Sequence, residues 1–178
     1  MKRIKEYYKH DNVINFKSSI SFNVHKLYKQ ERDWTCSLAC IRTILSATDH
    51  KVYSEDYYIK NYKLKPGPHY SKDIKKIGLL DDFDVKYGCD CKSIDFDLVL
   101  NLMNDGYGIM LESMYNYSHW MVLIGFYRLG GSIENDVIVC FEPYYNNIRL
   151  INVDEFLGMW IDGDYKNSKV EKDFIAIR

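Results

Sequence analysis

The sequence has no apolar run long enough to cross a bilayer. The longest, Trp120 to Tyr127, falls far short of the roughly 20 residues that a span needs. It has no excess of charge of either sign: 24 Lys and Arg stand against 25 Asp and Glu, for a formal charge of -1 and a pI near 6.5. That balance gives no electrostatic footprint for nucleic acid or for an anionic membrane surface. The basic start, Met1-Lys2-Arg3-Ile4-Lys5, runs into polar residues where a secretory leader would need an apolar segment. The expected location is therefore the cytoplasm. The five cysteines are odd in number and irregularly spaced, so they form no disulfide framework and read as free thiols. Repeats, low-complexity tracts and linkers are also missing.

What is present fits one domain. The 178 residues, 47% of them apolar, match the size of a single core. Residues 1–19 read as an N-terminal extension, either flexible or strand-forming. Ile20, Phe22 and Val24 alternate with polar residues, the period of a half-buried strand. From Cys36 the spacing becomes helical: Leu38, Ile41, Leu45 and Thr48 recur on one face, with Asp33 or Thr35 as N-cap, predicting a helix of about three turns. Ser54-Glu55-Asp56 opens a second helix, Pro66-Gly67-Pro68 breaks it, and Ser71 starts a third that reaches Gly78. Phe83 to Tyr87 reads as a strand, and Leu98, Val99, Leu102 and Met103 as a helix ended by Gly106. Strands then dominate, at Tyr107 to Leu111, His119 to Tyr127, Val137 to Phe141 and Phe174 to Ile177, with a turn expected at Gly130-Gly131. A last amphipathic helix carries Asp154, Glu155, Phe156 and Trp160. Helices first and a sheet later predict an α+β domain with N-terminal helices packed on a C-terminal antiparallel sheet.

Three local features carry chemistry. In Gln30-Glu31-Arg32-Asp33-Trp34-Thr35-Cys36 a cysteine starts a helix, where unpaired N–H groups and the helix dipole favour a thiolate. The loop can fold Gln30 back so that its amide and the Cys36 N–H meet at one spot, as an oxyanion hole would require. His119 opens a continuous apolar strand and so sits at its rim, within reach of a thiol as base and acid. Glu142, before Pro143 at the end of the next strand, can hold the imidazole in one tautomer. Each feature has a plainer reading taken alone, as a buried structural cysteine, a hydrogen-bonded rim histidine and a turn glutamate.

Taken together, Gln30-x3-Trp34-x-Cys36-x-Leu38-Ala39-Cys40, His119-x-x-Val122-Leu123-x-Gly125-Phe126 and Pro143-Tyr144 resemble the papain-like fold of the bacteriocin-leader (double-glycine) peptidases. They are closer still to the related guanylyl cyclase domain-containing proteins. The resemblance runs from Gln30 to the terminal strand, and its most specific part is the Gln/Trp/Cys/Leu-Ala-Cys block. It implies a cysteine hydrolase, a peptidase or amidase acting on a peptide or amide and needing no cofactor, with Cys36 as nucleophile, His119 as base, Gln30 as oxyanion donor and Glu142 as orienting residue. The chain departs from those families at Thr35-Cys36-Ser37, where they carry Asp-Cys-Gly, and at Glu142-Pro143, where they carry Asp-Pro or Asn-Pro. Asn135, Asp136 and Asn146 therefore remain alternatives for the third role. Other readings of the same residues are a thiol acyltransferase, a guanylyl cyclase-like nucleotide enzyme, for which no phosphate-cradling Gly-rich loop is present, and a non-catalytic peptide-binding pseudo-peptidase.

Trp34, Ser37, Tyr117, Trp120 and Tyr144 are the expected substrate contacts, with Tyr115 and Tyr145 beside them, in a chain holding 16 tyrosines. Cys89-Asp90-Cys91, if extended, puts two thiols on one side of a strand, but no second pair at zinc spacing accompanies it. Asp81-Asp82-Phe83-Asp84 and Asp95-Phe96-Asp97 lack a calcium-loop pattern and read as solvated or capping charges. No metal is assigned. Cys40, one turn beyond Cys36, is expected beneath the active helix.

Overall fold

The computed structural model describes residues 18–114, 118–129, 132–161 and 172–178. The expected contacts Tyr115 and Tyr117, the Gly130-Gly131 turn and residues 1–17 of the N-terminal extension lie outside them.

Most of the periodic segments form the elements that their spacing predicts, but the first strand ends at Ser21, short of Phe22 and Val24. The helix from Cys36 is α1 (Cys36–Leu45), and its Leu38, Ile41 and Ile44 are fully buried, each such side chain contributing about 1.5–3 kcal/mol of burial free energy. Then follow α2 (Glu55–Tyr62), α3 (Ser71–Lys76), α4 (Phe96–Asn104) and α5 (Val153–Met159). Ser54 caps α2 by accepting the Tyr57 N–H, and Asp95 caps α4 through Leu98 N–H at 2.8 Å. Gly106, at φ 90°, ends α4 as expected, where a side chain would be strained.

The strands are β1 (Ser18–Ser21), β2 (Val85–Tyr87), β3 (Gly108–Ser113), β4 (His119–Arg128), β5 (Val137–Glu142), β6 (Asn147–Asn152) and β7 (Phe174–Ile177). They make one antiparallel sheet in the order β2-β7-β3-β4-β5-β6. β3 pairs with the first half of β4, and β1 with the second half, from Gly125 to Arg128. The architecture is thus α+β, with one correction to the expected division: the sheet also takes β1 and β2 from the first half of the chain, and helices cover both its faces. Leu38, Ile41, Ile44, Tyr58 and Ile74 of α1 to α3 pack with Trp120, Val122, Ile124 and Phe141. Phe96, Val99 and Phe156 of α4 and α5 pack with Met121, Leu123 and Cys140 on the other side.

A register shift between Leu123 and Gly125, against β5, interrupts this alternation. Ile124 faces the α1 side and Phe126 the α4 side, because a bulge moves every later side chain to the opposite face. No helix among the described residues is long and apolar enough to cross a membrane.

The Cys89-Asp90-Cys91 stretch is not extended, which corrects that expectation. Gly88–Asp90 is a 3-10 turn, and Gly88 lies against β7 so closely that a Cβ there would meet Asp173 Oδ1 at 2.6 Å and Phe174 N at 2.9 Å. Gly88→Ala is expected to lower stability by about 1–3 kcal/mol, the range for overpacking a tight site. Urea denaturation of the two proteins checks this, and an unchanged midpoint would mean that the contact relaxes freely.

Candidate active site

Packing sets α1 against β4, and that placement brings three chemical groups together. Cys36 is the first residue of α1, so its N–H belongs to the first turn, which has no intrahelical acceptor. Thr35 is the N-cap, but its side chain does not cap. The hydroxyl instead accepts the Arg32 N–H at 3.0 Å, while Thr35 N–H bonds back to Arg32 O at 3.2 Å, closing the turn that delivers the cysteine. The thiol is half-buried.

His119 opens β4 and Glu142 ends β5, and because these strands are antiparallel neighbours both residues stand at the same end of the sheet. Both are buried. His119 Nε2 bonds Glu142 Oε1, which leaves Nδ1 for the other partner of the imidazole, the Cys36 thiol. Glu142 is fully engaged: Oε1 also accepts Tyr144 N–H at 2.8 Å, and Oε2 accepts Tyr145 N–H at 2.9 Å. The extra methylene of Glu over Asp is accommodated by folding the 143–146 turn back onto the carboxylate. Asp136, one of the alternatives for this role, accepts Leu129 N–H and faces Arg128 instead.

The electrostatics follow from these contacts. Burial works against a charged imidazole, yet the bonds to Cys36 and Glu142 outweigh it and raise the His119 pKa to about 9. Burial alone would raise Glu142; the bonds from His119 and from the Tyr145 and Tyr144 N–H groups overcome this and hold it below the usual carboxylate range. These contacts favour the protonated form of the imidazole, which lies between the Cys36 sulfur and the Glu142 carboxylate. Cys40 lies buried one turn on, and burial pushes its thiol well above the ordinary value; Cys140 is pushed up to about 12.

Gln30 is buried beside this group. Its N–H donates to Pro143 O at 3.1 Å, tying the loop before α1 to the residue after Glu142. Its side-chain amide donates one Nε2 N–H to Arg32 O at 2.8 Å, within its own loop. Gln30 Oε1 is buried with no partner among the described residues. Between the 29–33 loop and the Tyr144-Tyr145 turn lies an open cavity of about 360 Å³. Tyr144 and Tyr145 pack edge to face at its wall and are 37% and 69% exposed.

The other expected substrate contacts divide. Trp34 is half-buried, its ring edge-on to His69 at 5.7 Å. Trp120 and Ser37 are both interior. Trp120 is core and donates Nε1–H to His69 O at 2.8 Å, and Ser37, rotated about 100° round the helix from Cys36, is 1% exposed. His69 was missed by sequence reasoning, as was Glu55, discussed below. A histidine after Pro66-Gly67-Pro68 looks like an ordinary turn residue, and nothing local marks its packing on two distant tryptophans.

The chain matches no model of a known protein family, and no curated protein matches it.

Glu142→Gln is expected to lower the His119 pKa from about 9, because a neutral amide no longer stabilises the imidazolium. NMR titration of the imidazole protons checks this without any substrate. An unshifted titration would remove Glu142 from the electrostatics of the site.

Proposed function

We propose that this chain is a papain-like cysteine hydrolase, a peptidase or amidase. The observation that carries the reading is the continuous contact from the Cys36 thiol through His119 to Glu142, with the Gln30 loop bonded to Pro143 beside it. Five free thiols fit a reducing compartment, and the proposal places the chain in the cytoplasm.

In this reading the Cys36 sulfur attacks the substrate carbonyl as the thiolate whose proton His119 holds, and the oxygen, now negative, is met by the Cys36 N–H and the remaining Gln30 amide proton. The imidazolium gives its proton to the departing amine, leaving a thioester on Cys36. Neutral His119 then takes a proton from water, whose oxygen attacks the thioester and releases the acid. Glu142 stays ionised and keeps Nε2–H directed at itself, so that Nδ1 always serves the reacting side. Trp34, two residues before Cys36, and Tyr144 and Tyr145, at the cavity beside the Gln30 loop, are the proposed substrate contacts.

The test pairs labelling with turnover. Iodoacetamide is expected to modify Cys36 faster than the other cysteines, and this advantage is lost in His119→Ala. On a peptide or amide substrate, His119→Ala is expected to cost about 10²–10⁴ in kcat, the usual worth of a positioned acid and base. The rate for the intact protein should fall as pH rises through about 9, where His119 loses its proton and with it the acid for the leaving group. Peptide mass spectrometry resolves the five cysteines; Cys36 reacting no faster than exposed Cys89 sinks the reading.

A further inference from the structure

We propose that Glu55 is a positioning residue for the oxyanion site: its buried carboxylate holds the turn that carries both Gln30 and the Cys36 N–H. This deepens the hydrolase reading and rests on it. Glu55 is the first residue of α2 and is completely buried, an expensive place for a carboxylate unless donors surround it. The donors come from the Gln30–Cys36 turn and from α1. Glu31 N–H points at both oxygens, at 3.2 and 3.1 Å. The Thr35 hydroxyl, whose one proton is shared with Arg32 O at 3.0 Å, also neighbours the carboxylate. Arg42 of α1 lies 3.7 Å from Oε1 while bonding the Glu31 side chain at 2.8 Å, its guanidinium covered by the Tyr28 ring at 4.4 Å.

These bonds act on Gln30 through the backbone. Gln30 N–H is fixed to Pro143 O and the next N–H, that of Glu31, to Glu55, so the residue is anchored on both sides. Its amide is then set by the bond to Arg32 O. Thr35, the other end of the turn, precedes the Cys36 N–H directly. Glu55 thus joins the two donors that must converge on one oxygen, though it touches no reacting atom. A carboxylate suits this place because the Glu31 N–H and the Arg42 guanidinium can only donate; an amide would turn its own N–H₂ toward one of them. Asp56 supplies the contrast. It also reaches this turn, through Arg32 at 2.5 Å, but that pair is 72% and 39% exposed at the two side chains and holds little.

The experiment compares two reagents on the whole protein. Iodoacetamide alkylates sulfur by displacing iodide and forms no oxyanion. With p-nitrophenyl acetate the Cys36 sulfur adds to the carbonyl, and the resulting oxyanion collapses to a thioester as p-nitrophenolate leaves with the bonding electron pair. Glu55→Gln is expected to slow acylation about 10- to 100-fold, less than or comparable to losing an oxyanion donor outright, while alkylation of Cys36 stays within about twofold. Glu55→Asp, which keeps the charge and the fold but draws it back by one methylene, should fall between, and Asp56→Asn should change neither rate. Equal effects on both reagents, or none on either, in Glu55→Gln and Glu55→Asp overturn the proposal. Gln30→Ala separates the two levels: if it slows acylation and the Glu55 variants do not, positioning alone fails. If wild-type Cys36 is not acylated, the hydrolase reading and this inference fall together.

Discussion

A carboxylate and an imidazole buried side by side at the end of the sheet set the terms for everything around them. Neither can be left partly unpaired away from water, so the structure near Glu142 is arranged to meet its oxygens. The chain turns sharply after Glu142, passes through Asn146 at φ 54° and returns as β6, and this reversal aims the Tyr144 and Tyr145 N–H groups at the carboxylate. His119 takes the remaining direction, and its second nitrogen must then find a partner on the other side. The start of α1 supplies it. The position of the helix is thus fixed both by the apolar contacts of Leu38, Ile41 and Ile44 below and by a polar requirement at its tip.

A second buried carboxylate stands behind the same region. Glu142 and Glu55 are both tied to the loop that holds Gln30, one through the neighbouring Pro143 and the other through Glu31. Both acidic groups are tolerated because each meets backbone N–H donors and a cationic partner, the imidazolium for one and Arg42 for the other. The loop has little freedom left, a property associated with preorganised donors rather than with a surface segment.

Much of the fold was legible in apolar spacing. Cys36 to Leu45, His119 to Tyr127 and Phe174 to Ile177 carry periods whose elements appear at nearly the same residues. β6 was not anticipated, since Asn147–Asn152 is an edge strand in which only Ile151 is deeply buried, and an edge needs little apolar pattern to pair. The turn at Cys89 depends on Gly88 touching β7, a contact between distant parts of the chain that no local rule encodes. The same limit applies at the site. Cys36, His119 and Glu142 stand at the ends of predicted elements, so their nearness was legible, whereas the bond of Trp120 was not, because its partner, the His69 carbonyl, lies far away in sequence. Glu55 looked like any acid in the first turn of a helix, where charge near the dipole is explanation enough.

The bond between Gln30 N–H and Pro143 O joins opposite halves of the chain. During synthesis the helix bearing Cys36 is made well before the strands bearing His119 and Glu142, so a partly made chain holds the thiol without its acid–base partner or its fixed amide. Pairings between such distant segments close late in folding. On the proposed hydrolase reading, reactivity would be tied to completion of the sheet, since an unfinished or misfolded copy lacks the contact of Cys36 with His119.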